Sequence, residues 1–185
     1  MPTPEPPASD GSSPQTRSFS GEPPTIIDPE KRYTATMVTS KGTMVIALDP
    51  LAAPKTVNNF VFLARYHYYD GIVFHRIIPG FVLQGGCPEG TGRGGPGYRF
   101  ADELPRPGRY QIGSLAMANA GPDTNGSQFF IISGPDGAAL PPSYSLFGSV
   151  VTGGDVVQAI EAVGTRGGTP TERVVIESVT IAEAD

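Results

Sequence analysis

Glycine and proline interrupt this chain at short intervals, with 24 Gly and 20 Pro among its 185 residues. Both residue types favour turns and limit the length of any helix or strand that lies between them. The sequence therefore predicts many short strands and few helices. A length of 185 residues is sufficient for one domain and a tail.

The apolar runs between these breaks mostly have the alternation or β-branched composition of strands. The runs 33–39 and 43–48 flank Ser40-Lys41-Gly42, and this arrangement predicts a hairpin. Further strands are expected at 112–120, 128–133, 144–151 and 173–181, with two more inside 72–86. In the run 128–133, alternation places Gln128 and Phe130 on one face and Phe129 and Ile131 on the other.

Helical spacing of apolar residues occurs in only two places. Val57, Phe60 and Val61 follow Pro54, which suits a first helical turn, and predict a helix over 54–66. A second stripe predicts a helix over 154–163. About eight strands usually close into a barrel or divide into a sandwich, and periodicity does not choose between the two.

Residues 1–30 are rich in Pro, Ser, Gly, Asp and Glu and contain few apolar anchors. Such a segment buries too little surface to offset its ordering entropy, so a disordered or extended leader is expected before a domain at 31–185. Ile26 and Ile27 are expected to hold its end against the domain. The PEPP string at 4–7 also fits a ligand for a proline-recognition module.

Composition excludes several classes of partner. A net charge of −5 and the absence of a basic run argue against nucleic acid and anionic membranes. One cysteine, Cys87, and two histidines do not make a zinc site or an intrachain disulfide. No apolar run is long enough to span a bilayer, and no signal peptide is visible. We expect a cytoplasmic protein, with the extracytoplasmic domain of a longer anchored protein as the alternative.

The run 74–86 (FHRIIPGFVLQGG) contains a single cation, Arg76, among apolar and aromatic residues. Burying an unpaired guanidinium is costly, so Arg76 must be paired or face a wet surface. With Phe81 beside it and Gln84 following, the run places a charged donor next to an apolar patch, which is typical of a site. A surface ion pair for Arg76 and a core position for Phe81 are the alternatives.

Residues 90–95 match the pattern G-x-G-x-x-G. A dinucleotide site needs a helix to begin at the third glycine, and Pro96-Gly97 follows instead. The segment is therefore interpreted as an irregular loop, and no cofactor is implied. The sequence contains no G-x-S-x-G motif, which would have indicated a hydrolase.

Several motifs occur in a characteristic order: 74–86, 114–120 (SLAMANA), 125–130 (NGSQFF) and Phe147-Gly148. Together with the helix start 54–57 (PKTV), they resemble the cyclophilin family of peptidyl-prolyl cis/trans isomerases, in a bacterial-like form. The resemblance implies a mainly β fold, namely a closed eight-stranded antiparallel β-barrel capped by two α-helices. It also implies a monomer that acts on proline-containing polypeptides without a metal or other cofactor.

By this resemblance, Arg76 matches the catalytic arginine, and His75 precedes it as in the family. The residues that match the proline pocket are Phe81, Val82, Phe130, Leu140 and Tyr144. Those that match the groove for the substrate backbone are Gln84, Ala118, Asn119, Ala120 and Gln128.

The chain departs from the family pattern in three places. Tyr144 stands where many relatives have histidine, and Cys87 replaces a common aspartate. The chain has no Trp, whereas relatives often carry one near Ala138 and Ala139, so cyclosporin binding with reduced affinity is expected.

The function implied is acceleration of rotation about X–Pro bonds during folding, through non-covalent stabilisation of the transition state by Arg76. The alternative is a chaperone or scaffold module that binds proline segments with little turnover.

Overall fold

The predicted alternating runs form one antiparallel sheet, and the computed structural model describes all residues from 1 to 185. The strands are β1 Arg32–Thr39, β2 Gly42–Leu48, β3 Arg76–Ile78, β4 Val82–Gly85, β5 Ser114–Met117, β6 Phe129–Ile132, β7 Leu146–Thr152 and β8 Ile176–Ala184. The helices are α1 Pro54–Arg65, α2 Pro135–Ala138 and α3 Gly154–Glu161. None of them combines the length and apolar composition needed to cross a bilayer.

The sheet order is β3-β4-β6-β5-β7-β2-β1-β8, and the sheet curls into a half-barrel. The expected closed barrel is not confirmed, because no ladder joins β3 to β8. The outer edge of β3 is already occupied: Ile77 N–H donates to Gly168 O at 2.9 Å, and Thr165 N–H donates to Ile77 O at 3.1 Å. In the gap between the two ends of the sheet, the segment 71–74 pairs irregularly with 174–176. This pairing comprises the isolated bridge between Val73 and Val175, with Gly71 N–H donating to Ile176 O at 2.7 Å and Phe74 N–H donating to Val174 O at 3.0 Å.

The two predicted helices, α1 and α3, are present, and a third helix was missed. The third, α2, lies between the predicted strands 128–133 and 144–151, where the sequence pattern predicts no helix. Pro135 begins it, and a side chain on the preceding Gly134 would come within 2.4 Å of Gly80. With four residues, α2 is too short to show the helical periodicity on which the prediction depended.

The apolar residues divide between the two faces of β4, β5 and β6. Phe129 and Ile131 point into the main core, together with the buried stripe of α1, and we call this side the inner face. Phe130 belongs to a smaller cluster on the outer face, which comprises Val82, Tyr110, Ala116, Phe130 and Ile132. The predicted alternation along β6 is therefore confirmed, and both faces of this part of the sheet are covered.

The leader, residues 1–30, contains no helix or strand up to Glu30 and lies along the domain. Phe19 is 1% exposed, and its ring lies 4.9 Å from that of Phe62 in α1. Ile27 is buried, and Asn58 Oδ1 accepts the Ile26 N–H at 2.7 Å.

Candidate active site

The outer-face cluster borders an open cavity of about 360 Å³, which we call the apolar cavity. It is lined by His75, Arg76, Phe81, Val82, Gln84, Thr91, Gly92, Ala118, Asn119, Phe130, Leu140 and Tyr144. The structure thus brings together every site residue predicted from the sequence except Ala120 and Gln128. These two line an adjoining cavity of about 700 Å³, which shares Gln84, Gly92, Ala118 and Asn119 with the first.

Arg76 is held at the mouth of the apolar cavity by the β3–β4 hairpin. It lies directly opposite Gln84 in the register, and its Nη1 donates to Gln84 Oε1 at 3.4 Å. The guanidinium carbon is 5.8 Å from the centre of the Phe81 ring, within the range of a cation–π contact. Arg76 is exposed and forms no ion pair, so its remaining N–H groups are free to bind a ligand.

Side-chain amides continue from Arg76 along the wall of the adjoining cavity. Gln84 Nε2 donates to Gln128 Oε1 at 3.1 Å. Gln128 Nε2 in turn donates to Gly92 O at 2.8 Å and to Gly94 O at 3.0 Å. Each amide orients the next, and the chain of hydrogen bonds ties Arg76 to the glycine-rich loop.

The base of the apolar cavity is aromatic. Phe130 is 4% exposed, and its ring meets that of Tyr144 edge to face at 5.2 Å. The backbone of Tyr144 is held by Tyr110, whose hydroxyl donates to Tyr144 O at 2.6 Å and accepts Tyr144 N–H at 3.1 Å. The replacement of a common histidine by Tyr144 therefore keeps an aromatic wall.

Asn119 offers its backbone to the cavity. Its side chain is used within the protein, because Nδ2 donates to Ser143 O at 3.0 Å and Oδ1 accepts Gly121 N–H at 3.1 Å. Its backbone N–H and C=O have no hydrogen-bond partner in the chain. An extended peptide can supply those partners by strand-like pairing.

The two histidines have different environments. His75 is half-buried beside the cavity, and burial together with the charge of Arg76 lowers its pKa, which favours the uncharged form of the ring. His67 lies in the turn after α1 and lines neither cavity. Its Nδ1 contacts Asp70 Oδ2 at 3.1 Å, and the hydrogen bond from its ring to Gly11 O raises its pKa.

Cys87 supports the loop rather than lining the apolar cavity. It is fully buried, and its Sγ accepts Gly94 N–H at 3.3 Å. Burial raises the pKa of the thiol, but the backbone N–H groups around it outweigh burial and leave the pKa below its usual value. No group of three or more His, Cys, Asp or Glu side chains could hold a metal ion.

Sequence reasoning missed three residues near the cavity: Thr91, Gly92 and Tyr110. All three lie in the segment 87–110, whose Gly, Pro and Arg residues carry no periodic pattern. The glycine-rich run at 90–95 was the one available signal, and it was interpreted only as an irregular loop.

A curled antiparallel sheet with an unpaired arginine beside an apolar cavity has the architecture of a prolyl isomerase of the cyclophilin class. Residues 34–181 match the family model described as cyclophilin type peptidyl-prolyl cis-trans isomerase/CLD, and the chain belongs to this family. Its relatives are named peptidyl-prolyl cis-trans isomerases, which supports the enzyme class inferred from the motifs.

The relatives include bacterial enzymes that match over most of their length. Peptidyl-prolyl cis-trans isomerase A of Mycobacterium tuberculosis is 49% identical over 168 aligned positions, which cover 80% of this chain and 92% of the relative. Isomerase B of Streptomyces anulatus is 49% identical over 167 positions, covering 80% of this chain and 95% of the relative.

Solved structures agree with the fold. A cyclophilin type isomerase from Cryptosporidium parvum superposes with a TM-score of 0.75 at 33% identity, covering 82% of this chain and 98% of that chain. A second structure of the same isomerase was determined in the presence of the dipeptide Ala-Pro.

Proposed function

We propose that this isomerase accelerates rotation about X–Pro bonds by directing the Arg76 guanidinium at the prolyl nitrogen in the transition state. The observation that carries the proposal is the position of Arg76. Its guanidinium has no ionic partner and lies on the same cavity as the apolar base formed by Phe130.

The physical argument begins with the peptide bond. Rotation costs about 18–20 kcal/mol because the nitrogen lone pair is shared with the carbonyl group. In the twisted transition state that lone pair is localised on nitrogen and can accept a hydrogen bond. A donor at this position stabilises the transition state more than either ground state, which is the requirement for catalysis. Arginine is suited to this role because it is always charged and only donates.

Two other surfaces of the site bind the prolyl ring and the adjoining peptide backbone separately. We assign the prolyl ring to the apolar surface formed by Phe81, Val82, Phe130, Leu140 and Tyr144. We assign the adjoining backbone to Gln84, Ala118, Asn119, Ala120 and Gln128, where the free backbone groups of Asn119 offer pairing partners. His75 lines the same cavity as Arg76, and we assign it no proton transfer, because its lowered pKa favours the uncharged ring.

The test is an exchange NMR measurement on a peptide with one Ala-Pro bond. The wild-type protein should accelerate cis/trans exchange, and Arg76→Ala should lose about 10²- to 10³-fold in rate, as is typical when one transition-state donor is removed. Arg106→Ala is the matched control, because Arg106 is exposed and lies outside both cavities. Equal rates for Arg76→Ala and Arg106→Ala would contradict the proposed mechanism.

The alternative is a chaperone or scaffold module that binds proline segments without useful turnover. The apolar cavity supports it, because Phe130 and Tyr144 could hold a prolyl ring without help from Arg76. The same measurement separates the two functions: this alternative predicts peptide binding by the wild-type protein with no acceleration of exchange.

Three further expectations remain predictions: a monomeric state, a cytoplasmic location, and cyclosporin binding with reduced affinity. The last is supported by Ala138, which packs against the outer-face cluster. Together with the neighbouring Ala139 it offers no indole N–H and little apolar surface to a bound ligand.

A further inference from the structure

The leader reaches the wall of the substrate site. Phe19 N–H donates to Pro96 O at 2.8 Å. The backbone of Gly97 lies so close to that of Phe19 that a side chain at Gly97 would meet Phe19 O at 2.4 Å. Pro96 and Gly97 belong to the segment 92–98, which lines the adjoining cavity and which we call the outer wall.

The outer wall depends on contacts from outside itself. It contains no strand or helix, and most of it is exposed. On the cavity side, Gln128 binds the carbonyl groups of Gly92 and Gly94. At its other end, the Tyr98 hydroxyl donates to Asn59 in α1. Phe19 supplies the contact at Pro96, between these two supports.

Phe19 is itself firmly anchored. Its ring is buried against Phe62 and Tyr66, with ring centres 4.9 and 5.1 Å away. Two residues earlier, the Arg17 Nε donates to Tyr68 O at 3.1 Å, and its guanidinium also binds Asp70 O. The leader therefore links α1 and the following turn to the outer wall by direct contacts.

We infer that Phe19 is a positioning residue, which holds the outer wall in the shape that binds the peptide flanking the proline. This inference rests on the proposed placement of substrate in the apolar cavity. The family model begins at residue 34, so family membership assigns no role to this segment. The contacts that connect Phe19 with the substrate site run through Pro96 and Gly94 to Gln128 and Gln84.

The inference predicts that the loss of Phe19 affects long peptide substrates more than short ones. A peptide extended by three residues on each side of Ala-Pro contacts the outer wall, whereas an Ala-Pro dipeptide occupies the apolar cavity alone. In the full chain, Phe19→Ala should raise KM for the long peptide about five- to tenfold, because apparent affinity falls with the fraction of protein whose wall is correctly placed. The kcat for the long peptide and the Kd for the dipeptide should stay within about twofold.

Two variants distinguish positioning from general stability. Ile27→Ala is the matched control, because Ile27 is buried in the same core yet lines neither cavity. It should lower the melting temperature without the length-dependent rise in KM. Phe19→Leu keeps an apolar anchor and should restore most of the affinity. If Phe19→Ala does not fold, Arg17→Ala should change KM in the same direction by a smaller factor.

Amide hydrogen exchange provides a readout that does not depend on turnover. In Phe19→Ala, the amide of residue 19, which donates to Pro96 O, and that of Gly94, which donates to Cys87 Sγ, should exchange at least about tenfold faster, and those of β6 should not change. Unchanged exchange at both amides, or a KM increase of equal size for Ile27→Ala, would overturn the inference. Wild-type protein that neither binds nor turns over the peptides would instead count against the proposed function.

Discussion

Phe129 and Phe130 are adjacent in β6, but their substitution by alanine is expected to affect different properties, namely stability and activity. Phe129 is fully buried on the inner face, where its ring contacts Phe60, Tyr69 and Phe74 at 6.0, 5.5 and 6.0 Å. Phe130 lies on the outer face at the base of the apolar cavity. Phe129→Ala should therefore cost mainly stability, and Phe130→Ala should cost mainly activity.

The magnitudes follow from what each ring contacts. Removing a fully enclosed ring, as in Phe129→Ala, costs about 3–5 kcal/mol of unfolding free energy. For a chain of this size that corresponds to a melting temperature lower by about 6–20 °C. One side of the Phe130 ring faces the open cavity, so we expect a smaller stability loss of about 1–3 kcal/mol. Its loss from the prolyl pocket should reduce kcat/KM by about 10- to 200-fold.

The assay pairs thermal unfolding with peptide exchange at a temperature at which both variants are folded. Phe129→Ala should keep kcat/KM within about threefold of wild type, because its ring lies on the opposite face of the sheet from the cavity. A larger activity loss for Phe129→Ala than for Phe130→Ala would refute the assignment of the two faces.

The remaining predictions concern the leader and the loop. His67 Nδ1 contacts Asp70 Oδ2 at 3.1 Å, and the hydrogen bond from its ring to Gly11 O raises the pKa of His67. The protonated His67 ring should stabilise leader docking by about 0.2–1 kcal/mol. This contribution should be complete below pH 6.5 and should be lost as the pH rises through the pKa of His67 in the folded protein, which is higher than that in the unfolded chain. NMR relaxation of residues 8–13 should show the leader loosening from pH 6 to 8, but no pH dependence in His67→Gln; equal mobility at both pH values in wild type would contradict this. Because Cys87 is buried, native protein should react with iodoacetamide at least about 100-fold more slowly than unfolded protein, and comparable rates would show that the loop opens freely.

Local patterns predicted most of the fold. Alternation and β-branched runs marked the strands within a few residues, and Pro54 with its apolar stripe marked α1. The failure of the barrel to close was not predictable in this way, because the edge of β3 is occupied by Thr165 and Gly168, which are far from Ile77 in sequence. The docking of the leader depends on a few specific contacts, such as those of Phe19, Arg17 and Ile27, in a segment whose average composition favours disorder.

The residues of the candidate site could be predicted from the sequence for a different reason. Arg76 and Gln84 lie in a motif that resembles a known family, and the β3–β4 register places their side chains together. Thr91 and Tyr110 reach the site from loops, where no periodicity connects sequence with position. Such residues become visible only when the backbone path is known.

The central claim is that Arg76 binds the transition state more strongly than the ground state. The most direct measurement is the exchange rate of a saturating Ala-Pro peptide on the enzyme, together with its Kd, for wild type and Arg76→Ala. We predict that the on-enzyme rate falls by about 10²- to 10³-fold while Kd changes by less than about threefold. A variant with a weakened Kd and an unchanged on-enzyme rate would show that Arg76 only binds substrate, and would contradict the account.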